Sequence, residues 1–302
     1  MKQNTIKNII SFSGIGLHSG VKVNITLKPA LANTGIIFRR ADINNDNNKV
    51  EAKYDKVINT HLGTTIGNNN RIQQFISNLF LKLGIVKDYG VYIRTIEHLM
   101  ASLWSCNIDN IIIEIDNKEV PIMDGSAYDF VEEIQKARIV KQNEDRKYLV
   151  VKKEIDIIED DRYIRLIPFD GYKIDLTVDF KYGGIGRQSY SFNGDQESFI
   201  EEIAKARTFC NLKEVAFMKK RNLALGGSEK NAMIFNDKTI LNQDGFRCDL
   251  EPVRHKLLDC IGDMYTSGYF MKCKIEALKT GHTMNNKLLY KLFSDTSNYD
   301  IV

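Results

Sequence analysis

The sequence predicts an α+β fold divided into two similar domains. Three observations lead to this prediction: apolar residues that alternate as in half-buried strands, apolar residues at helical spacing between them, and an element order that occurs twice along the chain. The chain has 302 residues, of which 43% are hydrophobic. It is therefore long enough for two domains and rich enough in apolar residues for a sizeable core.

Strands are predicted where apolar and polar residues alternate. The segment VKVNITL at residues 21–27 has its four apolar residues on one face, and the same pattern occurs at 174–180 and at 271–277. Residues 110–115 form an apolar run that suits a fully buried strand. Because helical patterns lie between these strands, the class is mixed.

Helices are predicted where apolar residues recur every three or four positions, as they do at 72–83, 99–103, 199–203 and 284–292. The segments TIEHLMASLWSC and VRHKLLDCIGDMYTSGY are each followed by a strand, a loop and another helix. Each half of the chain thus ends in the order helix, strand, helix. The polar stretch at 141–147 is the predicted boundary, which gives domains of residues 1–142 and 143–302.

Composition excludes several classes of protein. Lys and Arg number 42 against 39 Asp and Glu, and a net charge of +3 does not predict a nucleic-acid surface. Five cysteines without a C-x-x-C pair fit neither a disulfide framework nor a zinc ribbon. The N-terminus lacks a signal-peptide pattern, and no stretch approaches the roughly 20 apolar residues of a membrane span. We therefore expect a cytoplasmic protein with a small-molecule partner, no transmembrane segment and no nucleic acid, although its substrate could be a lipid. We also expect a monomer.

One predicted helix carries a histidine and two carboxylates on the same side. At about 100° per residue, His255, Asp259 and Asp263 lie within roughly 80° of one another, opposite the apolar residues of that helix. The helix should therefore pack by its apolar face and present imidazole and carboxylate from the other. His255 and Asp259 are one turn apart and can converge on one metal ion, although an intrahelical hydrogen bond or ion pair accounts for the same spacing.

His98 can complete a metal site with these two residues. Three protein ligands leave a fourth position open for water, which is the pattern of catalytic zinc. Glu97, next to His98 in the sequence, is then a candidate general base. Thr95 is predicted to cap the helix that follows, which places both residues in its first turn. The alternative for Glu97 is an ordinary acidic first-turn residue.

His282 is a further candidate whose setting is ambiguous from spacing alone. It follows Gly281 and precedes a predicted helix. A glycine-flanked histidine is often a turn residue with a local hydrogen bond. The glycine pair at 226–227 lacks the full phosphate-loop pattern, so it is a weak indication of a phosphate site.

Nine segments in consistent order resemble a known family. From about residue 6 to residue 292, the sequence resembles the UDP-3-O-acyl-N-acetylglucosamine deacetylases, which act in lipid A (lipopolysaccharide) biosynthesis in Gram-negative bacteria. The segments that carry the resemblance are GIGLHSG, ANTGIIFRR, TIEHLMASL, DNIIIEI, VPIMDGSA, ARTFC, LALGGS, LNQDGFRCDLEPVRHKLLDCIGD and KTGHTMNNKLL.

The resemblance implies a cytoplasmic, zinc-dependent amidohydrolase of two similar α+β domains. Each would be a two-layer sandwich of sheet and helices, with the active site at their interface. The first domain would carry Glu97 and His98. The second would carry His255, Asp259 and His282, together with an insertion that forms a passage for the acyl chain. One Zn²⁺ per chain is implied, with Fe²⁺ as the alternative metal.

The resemblance also assigns roles to individual residues. The metal ligands are the His98, His255 and Asp259 set already described, and Glu97 is the general base. His282 is the second catalytic group, oriented by Asp263. The remaining assigned residues contact the substrate: Thr208 at the carbonyl oxygen, with Leu62, Phe209 and Lys256 at other positions.

The implied reaction is hydrolysis of the N-acetyl group of UDP-3-O-acyl-N-acetylglucosamine, which releases acetate. Glu97 would accept a proton from the attacking water, and His282 would protonate the departing amine. Two alternatives stay open. One is a sugar-phosphate kinase of related architecture, for which no phosphate loop is visible. The other is a non-catalytic binding protein whose histidines serve packing.

The segment NNRIQQFISNLFLKLGIVKD departs from the family pattern. It is amphipathic and lies between THLGTT and RTIEH, so an extra helix near residues 70–84 is predicted. Its apolar face is expected to dock on the first domain, and the alternative is a contact with a partner or a membrane surface.

Overall fold

The computed structural model describes residues 1–68, 90–182 and 184–302. The extra helix predicted near 70–84 lies outside these ranges. In the described chain, no helix has the length and apolar character needed to cross a membrane. Residues 199–203, predicted as a helix, form a π-helical turn after the short helix Gln196–Ser198. The longer helices are α1 (Glu97–Ser105), α2 (Tyr128–Lys136), α3 (Leu212–Lys219), α4 (Glu251–Tyr265) and α5 (His282–Phe293).

The strands are short and are distributed along both halves of the chain. In order they are β1 (Lys2–Ile6), β2 (Ile10–Ile15), β3 (Lys22–Pro29), β4 (Ile36–Arg40), β5 (Lys49–Glu51), β6 (Val57–Asn59), β7 (Thr65–Gly67), β8 (Tyr92–Ile93), β9 (Ile111–Ile115), β10 (Ile139–Asp145), β11 (Tyr148–Val151), β12 (Ile155–Glu159), β13 (Arg162–Ile167), β14 (Tyr172–Phe180), β15 (Gly186–Phe192), β16 (Phe209–Asn211), β17 (Met233–Phe235), β18 (Phe270–Leu278) and β19 (Tyr299–Ile301).

Two of the sheets have the same strand order and the same strand directions. The first is β2-β3-β9-β4-β5, and the second contains β12-β13-β18-β14-β15 together with β11 and β19. In each, the central strand (β9 or β18) is antiparallel to one neighbour and parallel to the other. Each half also has the order helix, strand, helix that the sequence predicts: α1, β9, α2 and then α4, β18, α5. This repetition supports two similar halves; the boundary near residue 142 stays a prediction.

The strand predicted at 21–27 begins one residue later than expected and continues to Pro29 as β3. Val23, Ile25 and Leu27 are fully buried, whereas Val21 precedes the strand and is 47% exposed. The apolar run at 110–115 forms β9, which lies in the centre of the first sheet. Alternation with a period of two therefore identifies the buried face correctly, because each inward side chain meets the same core.

Helix α4 is buried on every side, which contradicts the prediction that it packs by its apolar face alone. Leu257 and Ile261 are fully buried. The polar residues His255 and Asp259 are nearly so, with 1% and 3% of their surface exposed. The reason is that α1 packs against the polar face of α4. The contact is close because residue 262 is glycine: a β-carbon there would overlap the carbonyl oxygen of Glu97 in α1.

Trp104 at the end of α1 joins the core of the first half to that of the second. Its ring lies 5.4 to 6.4 Å, between centroids, from four aromatic rings of the second half. Such contacts bury a large apolar area at a position fixed by packing. They hold α1 in place against the second sheet; the four rings belong to Tyr172, Phe192, Phe199 and Phe270.

The polar stretch predicted as a boundary is mostly a regular strand. Strand β10 covers Ile139–Asp145 and pairs antiparallel with β1 at the start of the chain. Arg146, which follows it, is 6% exposed and bonds to both carboxylate oxygens of Asp109 at 2.7 Å. The arginine also lies 3.8 Å from the centre of the Phe270 ring. The transition between the halves is therefore an ordered, hydrogen-bonded structure.

Candidate active site

Two helices bring the three predicted metal ligands together. His98 lies in the first turn of α1, and His255 and Asp259 lie one turn apart in α4. The Nε2 atoms of His98 and His255 are 3.5 and 3.4 Å from Oδ1 of Asp259. One donor atom from each residue falls within 4.8 Å of the other two, and all three residues are buried. The cluster is thus assembled by the packing of α1 on α4.

The hydrogen bonds around this cluster fit a bound divalent metal. Nδ1 of His255 lies 3.0 Å from the carbonyl oxygen of Ala206, so this atom donates and Nε2 is left as the free lone pair. Lys256 donates to Oδ2 of Asp259 at 2.7 Å. Oδ1, which faces both imidazoles, is buried without a hydrogen-bond partner among the described residues. An unsatisfied buried carboxylate oxygen between two imidazole nitrogens is what a metal ion would satisfy.

The titration behaviour of the ligands agrees with this arrangement. Burial lowers the pKa of His255 to about 3, so its imidazole is neutral at physiological pH. Burial opposes ionisation of Asp259, but the positive charges of Lys256 and His282 outweigh it and hold the pKa of that carboxyl well below its usual range. Neutral imidazole and ionised carboxylate are the forms that bind a metal.

Glu97 is the first residue of α1, and its carboxylate lies in the same buried space. Its Oε2 accepts a hydrogen bond from the backbone N–H of Thr64 at 2.9 Å, and its Oε1 lies 3.9 Å from Nε2 of His282. Burial raises the pKa of Glu97, while the charge of His282 opposes that shift. A carboxylate with a raised pKa next to a metal site can accept a proton from water.

The predicted helix cap at Thr95 is wrong. Thr95 has a left-handed backbone with φ of 58°, and its hydroxyl points to the Glu119 carboxylate at 3.4 Å. Ile96 occupies the cap position of α1, without a capping hydrogen bond from a side chain. The backbone of Arg94 is bonded to Lys118 and Val120 instead, so tertiary contacts fix the entry into α1. Glu97 and His98 are nevertheless in the first turn, as expected.

His282 and Asp263 form a hydrogen-bonded pair. Nδ1 of His282 donates to Oδ2 of Asp263 at 2.8 Å, although the residues lie on different helices, so the local turn hydrogen bond is not its role here. Burial disfavours the imidazolium, but the charge of Asp263, this hydrogen bond and the charge of Glu97 outweigh it and raise the pKa of His282 to about 9. His282 is therefore protonated at neutral pH.

The predicted substrate-contacting residues all line one cleft of about 920 Å³ that also contains the cluster. The backbone of Thr208 is fixed by bonds with Gly125 and Met233, which leaves its side chain at the cleft. The Phe209 ring lies 6.1 Å from the His255 ring. Lys256 is bonded to Asp259, as described above. Leu62 is 42% exposed.

Two residues of the site, Thr64 and Asn285, are not evident from the sequence alone. Thr64 bonds to both Glu97 and Asp263, and Asn285 donates to Oδ2 of Asp263 at 2.8 Å. Asn285 could have been found, because it lies one helical turn after His282. Nothing in the local pattern around Thr64 indicates its contacts, since Asp263 is far along the chain.

A buried His, His, Asp cluster lines a large cleft together with a glutamate and a histidine, and an aspartate lies behind that histidine. This is the arrangement of a metal-dependent hydrolase. The model of the UDP-3-O-acyl N-acetylglycosamine deacetylase family matches residues 3–294. The chain belongs to this family, whose members are metalloenzymes that hydrolyse an amide.

Individual relatives agree over the full chain. A UDP-3-O-acyl-N-acetylglucosamine deacetylase of Idiomarina loihiensis is 40% identical over 304 residues, which is 100% of this chain and 93% of that protein. The protein of the same name from Aliivibrio fischeri is 39% identical over 98% of this chain and 91% of its own length. The protein of the same name from Histophilus somni is 40% identical over 100% of this chain and 93% of its own length.

Proposed function

We propose that this protein hydrolyses the N-acetyl group of UDP-3-O-acyl-N-acetylglucosamine and releases acetate, in the biosynthesis of lipid A. The relatives carry this substrate in their names, and the chain belongs to their family throughout its length. The observation that supports the proposal most directly is the unsatisfied Oδ1 of Asp259 between the two imidazoles, with Glu97 in the same buried space.

His98, His255 and Asp259 would hold one divalent ion, which we propose is Zn²⁺, with Fe²⁺ as the alternative. When bound, the ion supplies a Lewis acid that lowers the pKa of water and polarises the amide carbonyl. Lys256 restricts the carboxylate of Asp259 to one free oxygen, because it occupies the other. The ligands are therefore oriented before the ion arrives, which lowers the entropy lost on binding.

Glu97 is the proposed general base. It accepts a proton from the attacking water as the oxygen adds to the carbonyl carbon. The Thr64 N–H on its second oxygen leaves Oε1, on the side of His282, free for this transfer. Thr208 is proposed to donate to the carbonyl oxygen, where negative charge develops as the carbon becomes tetrahedral.

His282 is the proposed acid. An amine leaves poorly unless it is protonated, and His282 carries a proton at neutral pH because Asp263 stabilises the imidazolium. As the carbon–nitrogen bond breaks, the Nε2 proton of His282 passes to the sugar nitrogen. The products are acetate and the free 2-amino sugar.

The cleft lining accounts for an acyl-bearing sugar nucleotide. It includes the charged residues Arg162 and Lys279, suited to phosphate oxygens, and the apolar Val215, Phe217 and Met218, all three of which lie in α3. None of the side chains of α3 is buried. An acyl chain bound against these apolar side chains would shield them from water.

The test is a joint measurement of metal content and acetate release on the purified chain. We expect one equivalent of zinc or iron and release of one acetate per substrate, with activity lost to a chelator and restored by the metal. A metal-free protein, or a metal-loaded protein that releases no acetate from this substrate, would overturn the proposal.

A further inference from the structure

Thr64 forms three hydrogen bonds within the site, and two of them involve carboxylates. Its backbone N–H donates to Oε2 of Glu97 at 2.9 Å, and its hydroxyl donates to Oδ1 of Asp263 at 2.5 Å. Its carbonyl oxygen accepts from the backbone of Ile96, directly before α1, at 3.2 Å. The residue is 2% exposed. One threonine therefore contacts the proposed base and also the carboxylate behind the proposed acid.

The turn that contains Thr64 is shaped to reach these groups. Leu62 has a left-handed backbone with φ of 58°, and its carbonyl oxygen is within 3.0 Å of Nε2 of His18. Gly63 follows with φ of 140°, and a β-carbon there would lie 2.8 Å from Oε1 of Glu97. The turn passes so close to Glu97 that Thr64 can bond to it through its backbone while its side chain points to Asp263.

We infer that Thr64 is a positioning residue that fixes Asp263, and through it His282, relative to Glu97. The inference rests on the proposed function, since it concerns the base and acid named there. Among the described residues, three side chains are hydrogen-bonded to the Asp263 carboxylate: Thr64 on Oδ1, with His282 and Asn285 on Oδ2. Without the hydroxyl, Oδ1 loses its one described donor in a buried site. Because an unsatisfied buried oxygen is costly in free energy, the carboxylate would rotate toward another donor.

The two functions of Thr64 can be separated by mutation. Thr64→Val keeps the shape of the side chain and the backbone N–H to Glu97, but it removes the bond to Asp263. Thr64→Ser keeps both the backbone N–H bond to Glu97 and the hydroxyl bond to Asp263. Thr64→Ala serves in place of the valine variant if that protein proves insoluble. Thr177→Val is the matched control, because the Thr177 hydroxyl pairs with that of Ser189 on an exposed strand pair and Thr177 does not line the cleft.

We expect Thr64→Val to lower kcat roughly tenfold or more, with KM and metal content close to those of the unchanged protein. Thr64→Ser should recover most of kcat, and Thr177→Val should change nothing. The decisive measurement is a double-mutant cycle with Asp263→Asn. If Thr64 acts through Asp263, adding Thr64→Val to Asp263→Asn costs far less than it costs alone.

The inference would be overturned if Thr64→Val lowered kcat equally in the unchanged protein and in Asp263→Asn. An unchanged kcat in Thr64→Val would overturn it as well. The proton on Nδ1 of His282 gives an independent readout by NMR: its low-field resonance should move in Thr64→Val and remain in Thr64→Ser. If the unchanged protein binds metal but releases no acetate, the proposed function fails. If it is active and only the cycle is additive, the role of Thr64 alone fails.

Discussion

Gly262 of α4 lies directly against the carbonyl oxygen of Glu97 in α1, with no room for a β-carbon between them. Asp259 lies about one turn before Gly262 in α4, Asp263 follows Gly262 directly, and His98 follows Glu97. The distance between the proposed base and the carboxylates of α4 is therefore set by a backbone contact between two helices. Backbones are stiffer than long side chains, so the spacing is held closely.

Gly262→Ala should separate these helices. The added methyl overlaps backbone on a helix that cannot rotate away, and overpacking of this kind costs about 1–3 kcal/mol. We expect a melting temperature several degrees lower and a loss of both metal affinity and activity, measured by thermal unfolding and metal titration. Gly281→Ala is the control, because no atom of the described residues beyond its chain neighbours lies within 4 Å of the added carbon, and its backbone is extended. Equal melting temperatures in the two variants would contradict the close-contact argument.

His98→Ala, His255→Ala and Asp259→Ala should each abolish retention of the metal. Two remaining ligands hold a divalent ion far more weakly than three. Metal content after dialysis measures this directly. His61→Ala is a suitable comparison, since His61 lies at the same cleft but outside the cluster, and it should keep its metal. Stoichiometric metal in any of the three ligand variants would remove that residue from the site.

Glu97→Gln should keep the metal and lose turnover. The amide oxygen can still accept from the Thr64 N–H, but it cannot take a proton from water. We expect kcat to fall roughly 100-fold or more while metal content and KM change little. Turnover within a few-fold of the unchanged enzyme would assign the base to another group.

The rate should follow a bell-shaped pH profile whose basic limb depends on Asp263. His282 must be protonated to act as the acid, so kcat/KM should fall as pH rises through its pKa of about 9. Asp263→Asn removes the charge that favours the imidazolium, so the limb should move to lower pH. On the acidic side, Glu97 must be ionised, and burial raises its pKa. A basic limb unmoved in Asp263→Asn would belong to the water at the metal or to Lys256.

Arg146→Ala should destabilise the chain strongly. Loss of the guanidinium leaves Asp109 charged and nearly buried without its partner, a change that costs about 3–5 kcal/mol. Urea unfolding measures the loss. Lys2→Ala breaks an exposed ion pair between Lys2 in β1 and Asp145 in β10. It should lower the free energy of unfolding by only about 0–1 kcal/mol. Similar losses in the two variants would show that burial does not distinguish these ion pairs.

Local periodicity predicted four of the strands and the buried faces of several helices, because each depends on residues close in sequence. The pattern at 271–277 forms the buried β18, and α5 buries Leu288 and Leu289 as predicted. The same reasoning placed His255, Asp259 and Asp263 on one side of α4. What it could not show was that another helix covers that side. An amphipathic pattern is the same whether its polar face meets water or a buried site.

The rest of the site depends on contacts between distant parts of the chain. Thr95 has good capping chemistry, but its backbone conformation is set by residues 118–120, which no local rule includes. Thr64 and Asp263 are 199 residues apart and meet only through tertiary packing, in which the turn of Thr64 is bonded to the residue before α1. For such residues the resemblance to a family was more informative than spacing, and it supplied Thr208 and the other substrate-contacting candidates but not Thr64.

The position of β18 in the second sheet has a consequence for how the protein is made. This central strand pairs with β11, β13 and β14, all of which leave the ribosome well before it. Until Phe270–Leu278 emerges, those strands have exposed edges, and the long loops between partners slow their pairing. Helix α4 directly precedes β18 in the sequence. The proposed ligands His255 and Asp259 therefore reach their final positions only after β18 has been synthesised and paired. Nascent chains that end before residue 270 should therefore bind chaperones and hold no metal, whereas the first sheet, completed by β9, can already be folded.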